Sequence, residues 1–184
     1  MQSSRNEKSI LIDMLDKDKN IESTIENIKI KPGQLVKESR LIGNEKGLKE
    51  ENKILIDDLR DDPKKNCFIS GDIDEINQVF VNLLENAIKY GFDNTNVIVR
   101  IEQIINKEIK VSVINSGEGI PDKYIDRLTE RFFRVDKARS RKIGGTGLGL
   151  AIVKHILIKH RAQLSINSIP NEETNFSITF PIIN

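Results

Sequence analysis

Ile76, Val79, Phe80, Leu83, Leu84, Ala87 and Ile88 recur at the 3.6-residue period and stop before Gly91, which demands a helix with one wide apolar face. Asp72 or Asp74 stands where such a helix needs a cap. The apolar face has to lie on another apolar surface, and the chain supplies one. Val97 to Ile105 and Glu108 to Ile114 alternate apolar with polar residues across Asn106-Lys107, the pattern of a hairpin with one buried face. A second helix starts in the glycine run before Leu150 and continues through Ile152, Val153, Ile156 and Leu157 to His160. Two strands, Leu164 to Ile169 and Phe176 to Ile182, then close the chain. Upstream, Ile28 and Ile30 alternate before the turn dipeptide Pro32-Gly33, and Leu35, Val36, Ser39 and Ile42 keep a helical period to about Lys49. Ile54-Leu55-Ile56 and Cys67-Phe68-Ile69 read as a further hairpin across an acidic, proline-containing link. This mixture predicts an α/β fold of the α+β two-layer sandwich type, with helices on one sheet face.

The 184 residues suit one domain, residues 21–184, preceded by a polar tail, residues 1–20, whose Ile10, Leu11, Met14 and Leu15 lie at helical spacing. With 29 basic and 28 acidic residues there is no global field to attract nucleic acid or acidic lipid, so any anion site must be local. The single Cys67 has no partner for a disulfide and no neighbours at zinc spacing. No apolar run approaches the ~20 residues of a membrane helix, and the first residues lack the apolar core of a secretion signal. A soluble chain in a reducing, cytoplasmic setting is expected, without direct membrane contact.

Four blocks carry chemistry. Asn82, Asn86 and Lys89 fall at i, i+4 and i+7, so they share one helix face, while Leu83, Leu84 and Ala87 point elsewhere. Magnesium takes oxygen ligands, and a carboxamide oxygen can complete its shell without adding negative charge beside a triphosphate. Lys89 can meet a phosphate as a point charge, and Tyr90 offers a ring beside a base or ribose. A solvated face of an ordinary amphipathic helix explains the same pattern. The run Gly145-Thr146-Gly147-Leu148-Gly149-Leu150 opens the second helix, where glycines admit a ligand and unpaired N–H groups face it. It is neither a dinucleotide-fold fingerprint nor a P-loop, and glycine-rich turns also arise for steric reasons alone. Asn115, Gly117, Gly119 and Ile120 sit after a strand end, where Asn115 can accept a hydrogen bond from an adenine amine and the glycines can hinge, or where the strand simply turns. Phe132, Phe133, Arg134, Arg139, Arg141 and Lys142 then suit either a closing lid, with apolar anchors and phosphate-facing cations, or a solvated charged loop. The order of the blocks, and their distribution over helix, strand end, loop and helix start, agree with a magnesium-ATP site.

These residues resemble the catalytic and ATP-binding domain of bacterial sensor histidine kinases, in the superfamily that includes type II topoisomerases, Hsp90 chaperones and MutL. Asn82 to Tyr90 resembles the N box, Asn115 to Gly119 the first glycine box, Phe132 to Arg134 the F box and Gly145 to Leu150 the second glycine box. Thr174-Asn175-Phe176 resembles the last block, with Glu173 where a glycine is usual. The likeness spans roughly residues 28–182, and Gly71 to Gly91 and Arg131 to His160 resemble the phosphate-sensing PhoR type. It implies a Bergerat-type fold, with a mixed, mostly antiparallel sheet and a mobile ATP lid. It also implies ATP and Mg2+ as cofactors, Asn86 as the metal residue, and Asn82, Asn86, Lys89 and Arg134 as the catalytic set.

Two departures stand out. Asn115 occupies the place of the family's adenine-reading Asp, which weakens a charge-assisted bond to a neutral one and softens discrimination against guanine. The phospho-acceptor motif is missing as well: His155 and His160 both read as structural, the latter in a last turn where an imidazolium would suit the helix dipole. The acceptor histidine is then expected on a dimerisation domain in cis or trans, with residues 1 to about 15 as the tail of its helix, a response regulator as indirect partner and an inner-membrane parent. Asn82 stands where hydrolytic and serine-phosphorylating branches carry a base, and Glu85 lies about 100° around the helix from Asn86. That argues for transfer to histidine over hydrolysis. The alternative is a non-catalytic ATP-binding module that docks a kinase partner.

Overall fold

Asp72 opens the first helix by accepting hydrogen bonds from the backbone N–H groups of Asp74 (2.9 Å) and Glu75 (3.1 Å). The computed structural model describes residues 28–30, 54–62, 67–104, 108–135 and 146–183. The expected tail at 1–20 and the helical run to Lys49 lie outside the described residues. In chain order the elements are β1 (Ile28–Ile30), β2 (Ile54–Asp58), β3 (Ile69–Gly71), α1 (Ile73–Tyr90), β4 (Val97–Ile104), β5 (Glu108–Ser116), α2 (Gly149–Lys159), β6 (Gln163–Ile169) and β7 (Glu173–Pro181). A 3-10 turn covers Asp122–Arg127.

Five strands form one sheet in the order β2-β4-β5-β7-β6, with β2 parallel to β4 and every other pair antiparallel. The register stacks one face: Val99 opposes Val113 and Val113 opposes Phe176, Ile101 opposes Val111 and Val111 opposes Ile178, and Ile109 opposes Phe180. All eight are buried, as are Ile76, Val79, Phe80, Leu83, Leu84 and Ala87 of α1 and Ile152, Val153, Ile156 and Leu157 of α2. Together they form a single core between the helix layer and the sheet. Each such aliphatic or aromatic side chain contributes roughly 2 kcal/mol by leaving water.

Two expectations need correcting. Ile54–Asp58 and Ile69–Gly71 do not pair with each other. β2 lies parallel to Val97–Ile101, a pairing that Leu59 extends by donating its N–H to the Ile101 carbonyl at 2.8 Å, and β3 joins β1 in a separate two-stranded sheet. Alternation marks a strand but not its partner, and a parallel partner lies across a crossover that short-range pattern cannot reveal. The β4–β5 hairpin forms as expected, yet β5 is buried on both sides from Val111 to Asn115 because it sits centrally, and Ser112 pairs its hydroxyl with that of Ser177 at 3.0 Å.

Candidate functional site

The polar stripe of α1 opens onto a cavity of about 400 Å³. Asn82, Asn86, Lys89 and Tyr90 line it from the helix, Asn115 from the end of β5, and Gly119 and Ile120 from the segment after it. Phe133 and Arg134 line it too, with Thr146, Gly147, Gly149 and Leu150 from the start of α2 and Thr174 from β7. Two of the expected residues, Gly117 and Leu148, stand elsewhere. Gly117 forms a bridge with Gly91, and a Cβ on it would lie 2.5 Å from the Tyr90 carbonyl, so it brings β5 against the end of α1. Leu148 is 1% exposed and packs in the core. Arg139 and Gly145 lie outside the described residues, together with Arg141, Lys142 and most of the expected lid.

Sequence reading missed Gln78, Val81, Glu85, Glu118, Leu128, Val135, Ile152 and Phe176, which also line the cavity. Gln78 and Glu85 stand at i−4 and i+3 from Asn82, so helical spacing could have found them. Leu128 and Val135 carry no such signal.

Local packing sets the polar groups. Asn82 donates from Nδ2 to the Gln78 carbonyl at 2.8 Å, leaving its Oδ1 beside Gly149, where an added Cβ would sit only 2.7 Å from that oxygen. The absence of a side chain at 149 lets the start of α2 approach Asn82. The Asn86 carboxamide has no hydrogen-bond partner among the described residues. Asn115 is 4% exposed, and its Oδ1 accepts no bond from the described residues. A buried carbonyl oxygen left without a donor is costly in a folded protein, and here it faces a cavity.

Beyond the strand end, Ser168 accepts a hydrogen bond from the Ile120 N–H at 2.9 Å and meets Thr174 Oγ1 at 2.8 Å, tying that segment to β7. On the other side Phe133 is held between the Tyr124 ring, 6.0 Å away between centroids, and the Arg127 guanidinium, 4.3 Å from its ring centre. Phe132 donates its N–H to the Gly147 carbonyl at 2.9 Å, which fastens this segment to the start of α2.

The described lining carries Lys89 and Arg134 against Glu85 and Glu118, with Lys89 Nζ 4.0 Å from Glu85. Two cations and two carboxylates give no net positive wall. Attraction for an anion has to come from elsewhere, and α2 offers a source: its first turn has no acidic residue and no side-chain cap, so its leading N–H groups point outward beside Thr146 and Gly147.

Comparison with known proteins agrees with this geometry. Residues 71–184 match the model of the family described as histidine kinase-, DNA gyrase B-, and HSP90-like ATPase. The sensor protein kinase WalK of Staphylococcus aureus is 41% identical over 124 residues, 67% of this chain and 30% of that protein; for the strain Newman form the latter share is 20%. The chain therefore spans less than a third of the length of the curated relatives it matches. Among solved structures, the catalytic domain of histidine kinase ThkA superposes with a TM-score of 0.70 at 25% identity, over 85% of this chain and 95% of that one. The mycobacterial sensor histidine kinase MprB gives 0.70 at 23% identity, over 85% and 97%, a likeness of fold. Fold, motif order and family match converge: the chain belongs to the histidine kinase-, DNA gyrase B- and HSP90-like ATPases, and its relatives lie on the sensor histidine kinase branch.

Proposed function

We propose that this chain is the magnesium-ATP-binding catalytic domain of a sensor histidine kinase, which passes the γ-phosphate to a histidine on a dimerisation domain supplied in cis or trans. The observation that carries the reading is the cavity in which the carboxamide oxygens of Asn82, Asn86 and Asn115, without donors among the described residues, line the same space as Lys89, Arg134 and the start of α2. These donors fit the implied groups, since carboxamide and water oxygens suit a hard divalent cation and outward N–H groups suit phosphates.

In this mechanism Asn86 would hold Mg2+, with Asn82 one turn away on the same helix face, and the ion would supply charge neutralisation on the phosphates. Lys89 and Arg134 stabilise the charge that gathers on the phosphoryl oxygens as the bond to the β-phosphate breaks. The outward N–H groups of α2 orient the phosphate chain. Asn115 reads the base, Tyr90 packs beside the ribose or ring, and Ile120, Ile152 and Phe176 give the base an apolar bed. The acceptor imidazole attacks in its neutral form, so this chain need not provide a base. Asn82 in place of a carboxylate supports transfer over hydrolysis, and Glu85 is drawn toward Lys89. Under the same reading the domain is cytoplasmic, its parent is anchored in the inner membrane, and a response regulator receives the phosphoryl group downstream. Among the described residues no helix is long and apolar enough to cross a membrane. The phosphate-sensing subtype rests on the sequence resemblance of Gly71 to Gly91 and Arg131 to His160.

The test is incubation with γ-labelled ATP, Mg2+ and the cognate histidine-bearing hairpin domain. Acid-labile label on that histidine is the expected result. Saturable ATP binding with no transfer to a cognate hairpin would replace the kinase by a binding-only regulatory module.

A further inference from the structure

Asn115 is buried at the wall of the cavity, yet its carboxamide is barely held. Nδ2 reaches the Ser116 carbonyl at 3.4 Å, a long bond, and Oδ1 accepts nothing among the described residues. Ser116 does not depend on that bond, because the Phe92 N–H donates to the same carbonyl at 2.9 Å. Turning the carboxamide by half a rotation therefore strands no backbone group, and its cost is confined to bringing Oδ1 toward the Ser116 carbonyl, two acceptors at a separation already long for a hydrogen bond. The space beside Nδ2 is kept clear by glycines: a Cβ at Gly117 would press on it at 3.1 Å, and one at Gly91 would touch it at 3.8 Å. Thr174 lies opposite Asn115 in the β5–β7 register, but its hydroxyl is taken up with Ser168 at 2.8 Å and does not pin the amide.

We propose, resting on the purine-nucleotide reading above, that Asn115 lets this site take 6-oxo as well as 6-amino purine nucleotides. A 6-amino purine presents an N–H donor beside the ring acceptor N1, while a 6-oxo purine presents a carbonyl acceptor beside an N1–H donor. A carboxamide matches the first with Oδ1 accepting and Nδ2 donating, and the second after the half rotation. A carboxylate in the same place accepts only, so it would meet the 6-oxo oxygen as a repulsion. The orientation with Nδ2 toward Ser116 turns Oδ1 to the cavity and favours the amine, so ATP remains preferred by a modest factor. Sites with fixed, buried hydrogen-bonding groups reject the wrong partner by about 10⁴-fold or more.

Isothermal titration of the full chain with Mg-ATP and Mg-ITP tests this. ITP lacks the 2-amino group of guanine and so reports on position 6 alone. The expected result is ITP binding within about thirtyfold of ATP, with the gap widening at least about tenfold in Asn115→Asp, whose fold is checked by circular dichroism. The wild-type ratio stands without the variant if that variant does not fold. ATP binding with ITP weaker than about thirtyfold, or an unchanged ratio in folded Asn115→Asp, overturns the dual specificity and leaves the nucleotide site intact. Binding of neither nucleotide overturns both.

Discussion

His160 Nε2 accepts a hydrogen bond from the backbone N–H of Asp72 at 3.0 Å, so the residue that ends α2 grips the residue that caps α1. With Nε2 accepting, the ring proton sits on Nδ1, which donates to the Ile156 carbonyl at 2.8 Å. The two backbone groups thus fix the ring's orientation and tautomer, a structural role of the kind the sequence predicts. Gly71 makes the contact possible, since any Cβ there would collide with the imidazole Cδ2 and with Ile76. Lys159 closes the same junction on the outside, its Nζ 2.7 Å from Glu75.

His160→Ala leaves the Asp72 N–H without a partner and opens a hole in a fully buried position. The expected loss is about 3 kcal/mol of unfolding free energy. His160→Gln, which can restore an acceptor, is expected to lose about half as much. Urea denaturation reads both, and the idea fails if the two variants are equally damaged.

Arg60 and Asp58 form a two-pronged pair, Nε to Oδ1 at 2.8 Å and Nη2 to Oδ2 at 2.6 Å, with the Arg60 side chain 7% exposed and Nη1 3.4 Å from Cys67 Sγ. The guanidinium holds the Asp58 carboxyl below its ordinary value of 3.8 against the opposing effect of burial. A depressed carboxylate contributes stability that is full above the unfolded value and vanishes as pH falls through the folded one. Arg60→Ala should therefore cost ~2 kcal/mol near neutrality, with the gap to wild type closing below pH ~3.8. A gap that stays constant from pH 7 to 3 would show that packing, not charge, sets the loss.

The Asn86 carboxamide has no hydrogen-bond partner among the described residues, so its removal should leave the fold alone. Asn86→Ala is expected to change stability by less than ~0.5 kcal/mol while weakening Mg-ATP binding at least about tenfold. In excess chelator the two proteins should bind nucleotide alike. Equal affinity in Mg2+ would remove Asn86 from the metal.

Gly149→Ala pushes a methyl group to 2.7 Å from Asn82 Oδ1. On its own it should weaken nucleotide binding and lower stability. In an Asn82→Ala background the obstacle is gone, and the same substitution should stabilise by up to ~1 kcal/mol through helix propensity. Thermal melts of the four proteins measure this change of sign, and additive effects would contradict the close approach.

The parts legible in the chain were those set by periodicity over short range. The α1 stripe, the β4–β5 hairpin, the α2 run and the closing strands all follow from apolar spacing, and Asn82, Asn86 and Lys89 do share a face on the cavity. What escaped depends on distant partners. Nothing local marks Ile54–Asp58 as the parallel neighbour of β4, Leu148 as core within a glycine run, or Ser168 as the tie between Ile120 and Thr174. His160 was read as structural, but the partner that gives it that role lies 88 residues away.

The parallel alignment of β2 with β4 has a consequence for how the site is lost. The chain runs from β2 through β3 and α1 before it returns to β4, so α1 is the bridge of a crossover and not an appended helix. Peeling α1 away would unclamp an edge of the sheet, whereas the 3-10 turn with Phe133 and Arg134 can open with the sheet intact. Amide protons near Asn82 and Asn86 should then exchange with solvent only in global unfolding, while those of residues 122–134 exchange through far cheaper local openings. A domain built this way keeps the helix that carries Asn82 and Asn86 as durable as its core and confines fraying to the Phe133 and Arg134 side of the cavity.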